Sequence, residues 1–155
     1  MLTFEHVSSS WGSAYGWERQ DKLSSATLVD LRFHYFLGDV RISDDHGVVL
    51  DTKIGSVGIL DFAISMLAIA EQMTTRQDAA SEYRFKESND WISVLKVGDD
   101  VFLACSYAPG IAQASFGEFT DQAGRFLATT LDQLSSDFPA LALNREVASI
   151  RKKLP

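Results

Sequence analysis

The sequence contains little cysteine and little proline. Its one cysteine, Cys105, excludes a disulfide within the chain, whereas secreted domains more often carry paired cysteines. Only three prolines are present, and no low-complexity run occurs. Residues 1–20 lack the basic start and the apolar core of a signal peptide. Together these absences predict an ordered domain located in the cytoplasm.

Long apolar runs and positive charge are also scarce. The most apolar stretch, 54–70, contains Asp61 and is shorter than the roughly 20 residues that a membrane-spanning helix needs, so it predicts a buried core helix. Lys and Arg number 14 against 21 Asp and Glu, which gives a formal net charge of −7. Because a nucleic-acid binder needs clustered cations, we expect neither a nucleic-acid partner nor a membrane partner.

The length and composition are those of one folded domain. At 155 residues, with 46% hydrophobic and 23% charged residues, the chain predicts a single α+β domain over 1–155. Residues 1–24 are the least regular part, with Trp11, Tyr15 and Trp17 in a stretch rich in glycine and serine. Such aromatic residues either anchor a loop to the core or form a binding surface, and the first role is the more common one.

Residue alternation predicts the strands. An apolar and polar alternation indicates a strand over 27–36, and short β-type runs around Asp44-Asp45-His46-Gly47 indicate a hairpin, so 27–52 reads as an antiparallel meander. Three further strands are predicted over 82–87, 91–97 and 101–107. The last of these is apolar on both faces, which favours a central position in the sheet.

Helical periodicity predicts the remaining elements. An apolar pattern indicates a helix over 59–75, and Ser115 with Glu118 forms a capping box that begins a second long helix, which ends before Pro139. Asn144 can cap a short last helix. The order of the elements predicts an antiparallel sheet of about five to six strands, with two main helices on one face and a short C-terminal helix.

No motif for catalysis, metal binding or cofactor binding is present. Cys105 has no neighbouring cation in sequence to activate its thiol, and His6, His34 and His46 lack the spacing of metal ligands. Phosphate-binding and nucleophile-elbow motifs are missing as well. We therefore expect no metal, no cofactor and no enzymatic activity.

Acidic turns and aromatic residues then remain as candidate binding groups. An acidic surface attracts a basic partner, and a Trp within it can be buried on binding. The alternative is that these acids only keep the protein soluble. The candidate partner-binding residues are Asp44, Asp45, Asp90, Trp91, Asp99 and Asp100.

The segments 38–43, 48–50 and 60–63, with the ending 138–141 and 144–147, resemble small bacterial proteins, including the immunity proteins encoded beside polymorphic or contact-dependent toxins. The resemblance covers the layout of residues 27–153 and rests on core and capping residues. It implies a cytoplasmic inhibitor that binds a cognate toxin C-terminal domain. Many such toxins are nucleases with a basic cleft, which an acidic inhibitor would occlude.

Two other functions stay open. The first is an enzyme or small-ligand binder whose site is assembled from distant residues, with Asp30, His34 and Cys105 as its candidate members. The second is a structural or regulatory module that self-associates through its apolar helices. A deep pocket lined by the three named residues would favour the first, and a concentration-independent monomer would count against the second.

Overall fold

The computed structural model describes residues 1–8 and 10–155. The helices are α1 (Leu28–Phe33), α2 (Ile59–Met73), α3 (Phe116–Asp137) and α4 (Arg145–Arg151), with 3-10 helices over Trp17–Lys22 and Pro139–Leu143. The strands are β1 (Thr3–His6), β2 (Leu37–Gly38), β3 (Val40–Ser43), β4 (Val49–Asp51), β5 (Val57–Gly58), β6 (Asp78–Arg84), β7 (Trp91–Val97), β8 (Asp100–Cys105) and β9 (Ile111–Ser115). The predicted α+β class is confirmed.

The strands pair antiparallel in more than one sheet. Within residues 1–8 and 10–155 they form three sheets, with the strand orders β1-β3-β4, β2-β5 and β6-β7-β8-β9, rather than one sheet of five to six strands. The side chain of Asp44, and not another strand, bonds the outer edge of β9 at the amide of Gln113. The backbone ladder is therefore not continuous between the first and the third sheet.

The prediction of a strand over 27–36 is wrong, because residues 28–33 form α1. The hydroxyl of Thr27 accepts a hydrogen bond from the amide of Asp30 and donates one to the Asp30 carboxylate, so the two residues cap the helix. Leu31 is the buried residue of α1, Val29 is exposed, and Tyr35 and Phe36 are buried just beyond the end of the helix, so the apolar residues do not share one face of a strand. The hairpin of β3 and β4 within the predicted meander is confirmed.

Two further differences concern the third sheet. Its first strand, predicted over 82–87, begins four residues earlier and ends three residues earlier, because Phe85 to Asp90 forms the turn into β7. Strand β9 is not predicted from the sequence, because Pro109-Gly110 interrupts the apolar run; in the structure these residues form the turn into β9. The central position of β8 is confirmed, because β8 lies between β7 and β9.

Both long helices cover the same face of the third sheet. α2 and α3 pack against each other, α2 also contacts β6, and α3 contacts β8 and β9. Ile92, Val94, Val101 and Leu103 point toward these helices and are fully buried. The capping box at Ser115 and the cap of α4 at Asn144 are present as predicted. Among the described residues, none of the helices combines the length and the apolar character that crossing a membrane requires.

The aromatic residues of the N-terminal segment are anchored to the core. Trp11 is buried, and its indole N–H donates to the carboxylate of Asp137 at 3.0 Å. Trp17 stacks on Phe138 and donates its indole N–H to the carbonyl of Trp11. The prediction that these rings hold the segment in place is confirmed.

Candidate interaction surface

The third sheet has one face buried by helices and one face open to solvent. Side chains alternate between the two faces along each strand, so every second residue of β6 to β9 points away from α2 and α3. We call this side the outer face. Its residues are Asp78, Ala80, Glu82, Arg84, Trp91, Ser93, Leu95, Val97, Asp100, Phe102, Ala104, Ile111, Gln113 and Ser115.

The centre of the outer face is apolar. Leu95 lies opposite Phe102 across the β7–β8 ladder, and Ala104 lies opposite Ile111 across the β8–β9 ladder. Leu95 is 44% exposed, Val97 49% and Ile111 58%. Single exposed apolar residues are common, but apolar side chains adjacent on one sheet face are typical of surfaces that bind another protein.

Carboxylates border this apolar centre. Asp78, Val97 and Asp100 form one row at an end of the face, and Asp99 lies in the adjoining β7–β8 turn. Glu82 lies further along β6, where it pairs with Arg84 at 2.6 Å. An apolar centre with an acidic rim matches a partner surface that carries apolar and basic side chains.

The structure brings part of the predicted acidic set together at this end. Asp45 and Asp100 line one surface depression, which Glu118 also borders. Asp45 is exposed and pairs with the α-amino group of Met1. Sequence reasoning missed Glu118, whose only signal was its place in the capping box. Asp45, Asp99, Asp100 and Glu118 therefore form an acidic end beside the outer face.

Asp44 lies next to this acidic end but has a structural role. Its carboxylate accepts hydrogen bonds from the backbone amides of His46, Val48 and Gln113 at 2.9 to 3.0 Å. Burial raises the pKa of Asp44, but these amides outweigh burial and hold the pKa below its ordinary value. Asp44 thus shapes its turn and fastens the turn to β9.

Asp90 and Trp91 lie at the opposite end of β7. The carboxylate of Asp90 accepts hydrogen bonds from the hydroxyls of Ser88 and Ser106, so it joins two loops of the chain. Trp91 is half-buried, and its side chain belongs to the outer face opposite Arg84. The six predicted residues therefore lie at two ends of the third sheet, with Asp44 and Asp45 contributed by the β3–β4 turn of the first sheet.

The residues proposed for an assembled enzymatic site are brought together only in part. Asp30 and His34 lie on one side of α1, where the His34 Nδ1 is 3.1 Å from the Asp30 carboxylate. The hydroxyl of Tyr15 donates to Asp30 at 2.8 Å and lies 3.0 Å from the same nitrogen. This hydrogen bond holds the pKa of Tyr15 above and that of Asp30 below the ordinary value. Cys105 lies on β8, where its thiol contacts the carbonyl of Ala108.

A buried ionic cluster is a second polar feature that sequence reasoning missed. Asp61 in the first turn of α2 is 5% exposed and accepts hydrogen bonds from the Arg32 Nε at 2.6 Å and the Tyr83 hydroxyl at 2.9 Å. Burial, with the negative charge of Asp61 next, raises the pKa of Tyr83 far above its ordinary value. The one available signal was a carboxylate within a stretch that is otherwise apolar. The cluster joins α1, α2 and β6.

The described residues hold no group of three or more His, Cys, Asp or Glu side chains that could bind a metal ion. Comparisons of the chain with models of known families, with curated proteins and with solved structures found no match.

Proposed function

We propose that this protein is a cytoplasmic immunity protein that binds a cognate toxin domain through the outer face of its third sheet and the adjoining acidic end. The observation that carries the proposal is an open sheet face with an apolar centre and a border of carboxylates. A soluble domain gains nothing for its own stability by leaving Leu95, Val97 and Ile111 in water, whereas a binding protein gains affinity when a partner covers them.

The affinity available from these three side chains is substantial. Full burial of one Leu, Ile or Val side chain contributes roughly 1.5–3 kcal/mol, and about half of each remains to be buried. Their sum of about 2–4 kcal/mol corresponds to a factor of roughly 30–1,000 in Kd. Phe102 and Trp91 extend the same surface, and aromatic side chains are frequent among the residues that dominate binding.

The acidic end fits a basic partner. Asp45, Asp99, Asp100 and Glu118 supply negative charge at one side of the face, in a chain with a net charge of −7. Such a surface steers a basic domain, for example a nuclease with a basic cleft, and accelerates association by about 10–1,000-fold at low salt. The partner would lose its activity because its cleft is covered.

Co-expression with the polypeptide encoded directly upstream, followed by titration of the purified partner, tests the proposal. We expect a 1:1 complex that protects cells from that polypeptide. The double substitution Leu95→Asp with Ile111→Asp should weaken binding at least about 100-fold, because it places two charges in the apolar centre. The matched control is Val29→Asp with Leu143→Asp, at side chains that are 55% and 80% exposed on other parts of the chain.

Charge reversal separates steering from contact. Asp45→Lys with Asp99→Lys and Asp100→Lys should slow association and reduce its salt dependence, while dissociation changes less. Asp44 is left unchanged, because it shapes its own turn. Equal binding by the wild type and by the Leu95 and Ile111 variant would exclude the outer face, and the absence of any complex with the upstream product would exclude the immunity role.

The hydrogen-bonded set of Tyr15, Asp30 and His34 favours a second candidate, a small-ligand or enzymatic site on α1. His34 is 34% exposed at its side chain and is oriented by the Asp30 carboxylate, as a general base must be. Titration of His34 by NMR in the presence of small carboxylic and phosphate esters tests it. A ligand-dependent change in the His34 signals, lost in Asp30→Asn, would support this candidate.

A further inference from the structure

On one outer strand of the first sheet and one of the third sheet, side chains form hydrogen bonds with backbone groups that point away from the sheet. On β9 the outward amide of Gln113 donates to Asp44, and the amide of Ser115 donates to Glu118. On β1 the side-chain amide of Gln122, in the orientation that satisfies both of its ends, bonds the carbonyl of Leu2 and the amide of Phe4. These contacts use up backbone groups that an outer strand would otherwise present to another chain.

Strand β6, the other outer strand of the third sheet, is open along its whole length. The amide of Phe85 donates to the carbonyl of Asp90 at the end of the β6–β7 ladder. Because hydrogen-bonded residues alternate along an antiparallel strand, the odd-numbered residues of β6 are those that bond β7. The N–H and C=O groups of the even-numbered residues point away from the sheet. These residues are Asp78, Ala80, Glu82 and Arg84. In the described part of the chain, no backbone or side-chain group bonds these outward N–H and C=O groups.

The space beside this edge is also accessible. An open groove lies between α2 and β6 and is lined by Ser65, Ala68 and Gln72 on the helix and by Ser81 and Tyr83 on the strand. β6 is seven residues long and contains no proline or glycine. A strand of this kind is suited to pair with a further strand.

We infer that β6 pairs antiparallel with β6 of a second copy of this chain, about a two-fold axis at Ser81. Asp78 then lies opposite Arg84 of the second copy, and Ala80 lies opposite Glu82. The four outward residues of each copy form four hydrogen-bonded pairs, which satisfy all the outward N–H and C=O groups. The two four-stranded sheets become one continuous sheet, and this inference stands independently of the proposed function.

The charges on β6 favour this register over registers that are shifted by two residues. A shift by two residues in one direction places Asp78 opposite Glu82, and the same shift in the other direction places Glu82 opposite its own copy. Like charges directly opposite each other destabilise a strand pair, whereas opposite charges stabilise it. A shift by one residue would set outward groups against residues that already bond β7. Only the register centred on Ser81 pairs Asp78 with Arg84 twice.

Sedimentation velocity of the full chain over a range of concentrations tests the inference. We expect a weak dimer that dissociates reversibly on dilution, because a seam of one strand falls among small interfaces. Ala80→Pro removes an outward N–H without removing a bond to β7, so the dimer should be lost while the fold remains. The matched control, Ala80→Thr, keeps the N–H and should dimerise like the wild type.

Charge complementation gives a readout that a general loss of stability cannot imitate. Asp78→Arg alone and Arg84→Asp alone each create two like-charge pairs across the seam and should weaken dimerisation at least about tenfold. An equimolar mixture of these two variants restores two opposite-charge pairs, and heterodimers should form with near wild-type affinity. Circular dichroism of each variant checks that the fold is kept.

A monomer at every concentration would overturn the inference, as would a dimer that Ala80→Pro leaves intact. Failure of the mixed variants to associate would exclude the register. A monomeric chain that instead gains protection of the Ala80 and Glu82 amides from hydrogen exchange only with its toxin partner would reassign this edge to that partner and would also overturn self-pairing.

Discussion

Removal of the buried negative charge of Asp61 should be among the most destabilising polar substitutions in the chain. The Asp61 carboxylate is 5% exposed and receives hydrogen bonds from Arg32 and Tyr83. Breaking a buried ion pair by removing one partner costs about 3–5 kcal/mol. The Arg32 side chain is 28% exposed and regains water when it loses its partner, which lowers the cost. We therefore expect Asp61→Asn to lower the free energy of unfolding by about 2–4 kcal/mol.

Urea unfolding followed by tryptophan fluorescence measures this change, since the chain contains three tryptophans. For a domain of this size, the loss corresponds to a decrease in Tm of about 5–15 °C. Tyr83→Phe removes one hydrogen bond to the same carboxylate and should cost about 1–3 kcal/mol. The matched control is Glu82→Gln, a neutralised carboxylate on the exposed face of the same strand, with an expected change below about 0.5 kcal/mol.

A double-mutant cycle tests the coupling directly. Arg32→Met leaves Asp61 buried and unpaired, whereas Arg32→Met with Asp61→Leu removes both charges. The double variant should lose at least about 1 kcal/mol less than the sum of its single substitutions. Additive losses, or an Asp61→Asn protein as stable as the wild type, would refute the view that this ion pair joins α1 to α2.

Three further outcomes follow from single positions. Asp44→Ala should lower the free energy of unfolding by about 1–3 kcal/mol and accelerate hydrogen exchange at the amide of Gln113. Although burial raises the pKa of Asp44, its hydrogen bonds hold that pKa below the ordinary value. The stabilisation from these bonds is therefore present above the unfolded-state pKa and is lost as the pH falls through the folded-state pKa. Burial lowers the pKa of His6, and the negative charge of Asp39 only partly opposes this effect. As the pH falls, the unfolded chain therefore binds a proton at this histidine before the folded chain does, and the stability should fall below a pH of about 6.5. His6→Leu should remove this loss of stability. Gly58→Ala should lower the free energy of unfolding by more than about 2 kcal/mol, since the new Cβ would collide with the backbone carbonyl oxygen of Arg32.

Controls at similar residues make these outcomes specific. His46→Gln changes an exposed histidine and keeps His6, so the fall in stability at low pH that is assigned to His6 should remain. Gly117→Ala lies in the first turn of α3, where the nearest atom to the new Cβ is 4.0 Å away, and should stabilise the protein slightly. An unchanged pH profile in His6→Leu would contradict the role assigned to His6, and unchanged urea unfolding of Asp44→Ala would contradict that assigned to Asp44.

Local signals predicted those elements in which residue chemistry and fold agree. The capping box at Ser115, the cap at Asn144 and the hairpin turn around Asp44 each satisfy backbone groups within a few residues, so their sequence is sufficient evidence. The strand predicted over 27–36 was wrong because the segment is a short helix capped by Thr27, followed by the buried residues Tyr35 and Phe36, and together these residues imitate an alternating pattern.

The α+β class, the ends of the long helices and the acidic character could be predicted from the sequence, because periodicity, capping residues and net charge are local or summed properties. The folded chain was needed to show which acids share a surface, which side of the third sheet stays open and which residues contact Asp61. These features depend on strand order and on contacts between residues far apart in the chain, such as Arg32 with Asp61 and Asp44 with Gln113. A pattern read along the chain records neither, since it contains no information on which segments become neighbours.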